Sequence, residues 1–142
     1  MSWQLRQQVR PEWIDYNGHL SEAYYVLVFG FATDAVMERI GLDAAYRATT
    51  GHSLYTVEAH VRYLREVGPD ADMVVTSRIV GGGAKKLLLC HEMTVDGVLR
   101  ATEEVVALHV GSDRAVPFPD DVADRITAAI EPAPEYAGRS IS

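Results

Sequence analysis

The chain has 142 residues, 48% of them hydrophobic and 23% charged, with a formal net charge of −7 at pH 7. That size suits one domain with a real core, and the acidic balance argues against nucleic acid or anionic membrane as the main partner. The single cysteine, Cys90, excludes an intrachain disulfide and a cysteine-rich metal site, and its apolar setting predicts a buried thiol rather than a nucleophile.

No charged segment followed by an apolar one opens the chain, so secretion is not expected. The longest apolar run, Ala23 to Ala32, is about half of the ~20 residues a membrane span needs. A soluble, cytoplasmic protein is the expectation.

Taken in order, Gln4 to Val9 reads as a short extended lead-in broken by Pro11. Ser21 is a candidate N-cap with Glu22 at the positive end of the helix dipole, and the helix is predicted to run to Ile40. Arg39 falls in its last turn and Gly41 stops it. Its first half is apolar almost all round, so something must wrap it. A shorter helix is predicted from Asp43 to Thr50, ended by Gly51.

Beyond Gly51 the period switches to two. In the first long strand Tyr55, Val57, Ala59, Val61 and Tyr63 are expected on one face, with Thr56, Glu58, His60 and Arg62 on the other. Gly68-Pro69-Asp70 is a turn, Asp72 to Val80 a strand, and Gly81-Gly82-Gly83 a break. Lys86 to Val95 and Val98 to Val110 follow, joined by Asp96-Gly97, a strong two-residue hairpin signal.

Long strands with short turns and no intervening helices make an antiparallel sheet. The pattern predicts an α+β fold, one curved sheet wrapped around one buried helix, over residues 1–116. Residues 117–142, with Pro117, Pro119, Pro132 and Pro134, are expected to form an extension with a short surface helix from Asp120 to Ile130.

The chemistry centres on Trp13-Ile14-Asp15-Tyr16-Asn17-Gly18-His19-Leu20-Ser21-Glu22. A carboxylate beside the N-terminus of a buried helix can attack a carbonyl or activate water, while free helix N–H groups hold the oxyanion. Spacing alone also allows Asp15 to be a plain turn residue, since D-x-x-G-H is short. His60 and Glu58 share a strand face, but the other histidines supply no ligand motif, so no metal is expected. The run Gly81 to Lys86 lacks the spacing of a nucleotide P-loop, though Lys85 and Lys86, with Arg62 or Arg65, are candidates for meeting phosphates. No G-x-S-x-G elbow is present.

Asp15, Gly18, His19, Leu20 and the helical Tyr25 resemble the signature of the 4-hydroxybenzoyl-CoA thioesterase-like hotdog family, and the resemblance covers roughly residues 5 to 110. It implies a hotdog fold and hydrolysis of an acyl-CoA thioester. By position, Asp15 matches the family's catalytic carboxylate and the Glu22 N–H its oxyanion donor, while His19 is a further catalytic candidate, with orienting the loop as its favoured role. The family's usual Asn-Asn is replaced by Ser21-Glu22, which adds a second carboxylate.

Asp15 to His19, Val28-Phe29-Gly30, Ala32 to Ala35 and Tyr55 to Glu58 further resemble betainyl-CoA thioesterase domains associated with carnitine dehydrogenases, although Phe31 stands where those carry an acidic residue. That likeness implies a trimethylammonium acyl group, which aromatic faces and carboxylates recognise. Trp13, Tyr16, Asn17, Tyr24, Tyr25, Tyr46 and Tyr55, with Asp34, Glu22 and Glu58, are the candidate contacts. Core packing of most of these aromatics is the competing reading.

No cofactor is expected, coenzyme A being part of the substrate. The family's sheets pair edge to edge, which implies a homodimer or homotetramer with sites between subunits. A hotdog hydratase or dehydratase and a non-catalytic acyl-CoA binding domain are the alternatives.

Overall fold

A computed structural model of the chain describes residues 3–141. Met1, Ser2 and Ser142, which the expected ranges include, lie outside the described residues. Helix α1, Glu22–Ile40, buries Tyr25, Val28, Phe29, Ala32, Val36, Met37 and Ile40. Val28, Phe29 and Ile40 are wholly inaccessible, and each such side chain contributes about 1.5–3 kcal/mol by leaving water. Gly41 ends the helix at φ 96°, a left-handed conformation that glycine adopts without strain. Ser21 has the backbone of an N-cap, yet its side chain makes no cap hydrogen bond.

Around α1 curves an antiparallel sheet. Its strands are β1 Trp3–Gln8, β2 Ser53–Tyr63, β3 Asp72–Gly82, β4 Lys86–Val95, β5 Val98–Gly111 and β6 Arg114–Ala115. The order is β1-β3-β4-β5-β2, with β6 paired to the end of β5. The extended lead-in is therefore β1, an edge strand on β3. Asp96 and Gly97 both have positive φ (52° and 77°), as a type I′ hairpin requires. A second such turn, Ser112-Asp113 at φ 53° and 66°, joins β5 to β6. Helix α2, Ala44–Thr50, is capped by Asp43, whose carboxylate accepts from the Tyr46 N–H at 2.9 Å.

One expectation about β2 is corrected. Its ladder to β5 shifts register between Thr56 and Glu58, leaving Val57 as a bulge. The extra residue turns the strand over. Thr56 pairs with the buried Ala107, whereas Tyr55 pairs with Leu108 and Glu58 with Val106 on the outer face. Tyr55 thus shares a face with Glu58 rather than with Val61 and Tyr63. Period-two reading cannot see a bulge, because the alternation is intact on either side of it.

Two apolar clusters fill the space between sheet and helices. One gathers Trp13, Leu20, Tyr25, Phe29, Met73, Val75, Met93 and Ala101. The other joins the second half of α1 to Ile79, Leu89, Val105 and Ala107 and to helix α3, Asp120–Ala129, through Val122 and Ile126. Residues 117–131 are tied to the sheet as well: Phe118 N–H donates to Ala84 O at 2.9 Å and Glu131 N–H to Ile79 O at 2.8 Å.

Between the clusters runs a polar row in register across three strands: Ser77, His91 and Glu103. His91 is wholly buried. Ser77 Oγ lies 2.7 Å from its Nδ1 and Thr33 Oγ1 2.8 Å from its Nε2, while Thr33 donates to Phe29 O. These bonds suit a neutral imidazole, and burial pushes its pKa down to about 4.

Candidate active site

Residues 15–19 form a tight loop held at both ends. Ile14 and Leu20 bridge as antiparallel partners, and Asp15 N–H donates to His19 O at 3.0 Å. Gly18 N–H returns to Asp15 O at 2.9 Å with Gly18 at φ 81°, the positive φ that explains the glycine. The Asp15 carboxylate accepts from Asn17 N–H at 2.8 Å through Oδ1. This bond fixes the side chain and leaves Oδ2 for chemistry.

Below the loop, Ser21 N–H donates to Trp13 O (3.0 Å) and Leu20 N–H to Val67 O (2.8 Å), which delivers the chain into α1. As the first residue of α1, Glu22 has an N–H with no partner inside the helix, at the positive end of the helix dipole. A cleft of about 600 Å³ lies here, lined by Asp15, Asn17, His19, Glu22, Tyr25 and Tyr63 among others. Tyr63 packs edge-on against Tyr25, centroids 5.0 Å apart, and its hydroxyl donates to Glu22 O at 3.2 Å. Burial raises the pKa of both phenols, so both stay protonated near neutral pH.

The fold brings together Asp15, Tyr16, Asn17, His19, Glu22 and Tyr25 from the expected set. His19 lies 3.5 Å from Glu66 at the cleft rim, with side chains 41% and 71% exposed. Such an exposed pair is worth at most about 1 kcal/mol. Trp13 is buried in the core and stacks on Tyr24 at 5.5 Å, so these two underpin the loop rather than line the cleft. Arg65 also lines the cleft.

The remaining candidates lie elsewhere in one copy of the chain. Tyr55 and Lys86 both pair with Leu108, whereas Tyr63 pairs with Ala101. Those two β5 positions are separated by roughly 23 Å of strand. Lys85 immediately precedes Lys86, the first residue of β4. Glu58 lines a second cavity, about 490 Å³ on the outer face, with His60, Glu104 and Arg139. Among the described residues no group of three His, Cys, Asp or Glu is placed to hold a metal ion. Cys90 is buried and its thiol is pushed up to about 11, mainly by that burial, which removes it as a nucleophile.

Glu103 was not foreseen. It is 5% exposed on the helix-facing side of the sheet, and burial pushes its pKa up to about 7. The available signal was its place in β5: Ala101, Glu103, Val105, Ala107 and His109 alternate on one buried face, and Glu103 alone among them carries an acid.

A family model described as the thioesterase-like superfamily matches residues 9–126. The chain belongs to this superfamily. Among its relatives is a betainyl-CoA thioesterase of Pseudomonas aeruginosa, 43% identical over 94% of this chain and 89% of the relative. An L-carnitine dehydrogenase/betainyl-CoA thioesterase of Agrobacterium fabrum is 45% identical over 94% of this chain, which spans only 29% of that longer protein. A Staphylococcus aureus protein solved in complex with CoA superposes with a TM-score of 0.93 at 27% identity, covering 100% of this chain and 95% of the other. The α+β hotdog architecture and the acyl-CoA thioesterase assignment read from the sequence are borne out. Among the described residues of this superfamily member no helix is long and apolar enough to cross a membrane.

Proposed function

We propose that the protein hydrolyses betainyl-CoA, releasing betaine and free coenzyme A. The observation that carries the reaction is the Asp15 carboxylate held across a cleft from the uncapped first turn of α1. The thioester carbonyl oxygen accepts from the Glu22 N–H, where the helix dipole stabilises the negative charge that develops. Asp15 then acts in one of two ways. It takes a proton from the attacking water, or it attacks the carbonyl carbon, expels the CoA thiolate and leaves a mixed anhydride for water to cleave. Either route consumes one water and needs no cofactor.

The acyl group rests on relationship and on chemistry. Two of the relatives bear the betainyl-CoA name. A quaternary ammonium has no N–H to donate, so aromatic faces and carboxylates must recognise it, and Tyr16, Tyr25, Tyr63 and Glu22 line the cleft. Arg65 is the cation offered there to the coenzyme A phosphates.

The working unit in this reading is a homodimer paired through β2. That strand is an open edge with Tyr55, Val57, Tyr63 and Leu64 between 42% and 57% exposed, an arrangement that calls for a partner. Antiparallel pairing about a two-fold axis brings the far end of one β2 to the cleft end of the other. Tyr55 and Glu58 lie on the outer face, opposite to the one that carries Tyr63, so this pairing leaves both outside either cleft.

The test is thiol release from betainyl-, 4-hydroxybenzoyl-, short straight-chain and long-chain acyl-CoA, with Asp15→Asn as control. Preference for betainyl-CoA, abolished in the variant, is expected. Preference for another ester keeps the enzyme and discards the cation; tight binding without release from any would make this a binding module.

A further inference from the structure

Glu103 is a carboxylate with no hydrogen bond or ion pair among the described residues, 95% withdrawn from solvent on the concave face of the sheet. Such groups are rare, because an isolated buried charge is costly unless something compensates it. No neighbour does. From β4 the facing group is His91, whose two nitrogens are taken by Ser77 and Thr33. From β2 it is Val61, with Tyr63 one diagonal step along. On α1 the hydroxyl beside this row, Thr33, is bonded to His91.

Glu103 lies one diagonal step behind the cleft lining, next to Tyr63. Tyr63 forms the cleft wall, and the Glu103 carboxylate is close enough to help raise the pKa of that phenol. Glu103 also stands one strand inside the open β2 edge. We propose that Glu103 is the anionic floor of the acyl pocket, selecting acyl groups that carry a fixed positive charge over neutral groups of the same shape. The inference deepens the betainyl reading and rests on it.

A cationic head group entering past Tyr63 supplies the charge that Glu103 lacks. That attraction acts over several ångströms without direct contact. The quaternary ammonium is permanently charged and cannot escape by losing a proton. Burial leaves Glu103 with a pKa of about 7 in the empty site, so a bound cation draws it into its ionised form.

The experiment compares betainyl-CoA with 3,3-dimethylbutyryl-CoA, its neutral isostere, in the wild type and in Glu103→Gln. Glu103→Gln is expected to lower kcat/KM for betainyl-CoA about tenfold or more, leaving the isostere unchanged or improved. An equal loss on both esters, or none on betainyl-CoA, overturns the role of Glu103. A wild type that does not discriminate the two esters overturns the betainyl reading and this inference together. Should the variant fail to fold, the wild-type ratio of kcat/KM for the two esters decides. It should fall as pH drops below about 7, and a flat ratio from pH 5 to 8 overturns the proposal.

Discussion

Glu103 stands directly opposite His91 across the β4–β5 ladder, and burial drives their two titrations in opposite senses. Unfolded, His91 takes up a proton below about 6.5; folded, it resists until about 4, so stability is lost as pH falls between those values. Unfolded, Glu103 ionises above about 4.5; folded, it holds its proton to about 7, so stability is lost as pH rises between those values. Across the shared window the two slopes oppose each other. Chemical denaturation should find Glu103→Gln more stable relative to wild type at pH 8 than at pH 5, by on the order of 1–3 kcal/mol. The same difference at both pH values would mean that Glu103 ionises normally in the fold.

Asp15→Asn should separate chemistry from structure. The Asn oxygen still accepts from the Asn17 N–H, so the loop keeps its turn. Thermal unfolding should be nearly unchanged, while kcat for the preferred acyl-CoA drops on the order of 100-fold or more. Near-normal turnover by the folded variant would rule out both roles given to Asp15.

The outline of this fold was legible because its punctuation is local. Ser21 and Gly41 bracket α1, Asp43 and Gly51 bracket α2, and Asp96-Gly97 fixes the β4–β5 hairpin. The loop that carries Asp15 was legible for the same reason, since its turn, its glycine and the helix start lie within ten residues of chain. What escaped depends on partners distant in sequence. Trp13 is a core residue only because Tyr24 and the sheet close over it. The Val57 bulge exists only relative to β5, and Ser112-Asp113 is a hairpin only because a two-residue strand follows it.

Phe29 is wholly buried and stacks on the His91 ring, centroids 5.9 Å apart, beside the polar row. Phe29→Ala should cost about 3–5 kcal/mol of folding free energy, the largest effect expected of a single truncation in α1. Urea titration checks this through the midpoint. A loss below about 1 kcal/mol would mean that α1 is not packed as described.

Assembly through β2 predicts its own disruption. Val57 is 54% exposed at the bulge, and a lysine there suits a free edge but not a paired one. Val57→Lys should shift light scattering from a multiple of 15.6 kDa toward that mass, with far-UV circular dichroism unchanged. Activity should fall with the dimer population. A wild type already monomeric at micromolar concentration would contradict the paired arrangement.

The bulge at Val57 lets one strand serve two masters. Before it, Leu54 and Thr56 turn inward and Tyr55 outward; after it, Val61 and Tyr63 turn inward while Glu58, His60 and Arg62 look out. Two halves of β2 that would compete for a single phase are free to change independently. Losing Val57 alone would turn the bulge into a regular ladder and leave every other side chain on its own face. Losing two residues here would invert half of the strand, exchanging Leu54 for Tyr55 in the core. The chain should therefore tolerate the single deletion at the bulge and reject a double one.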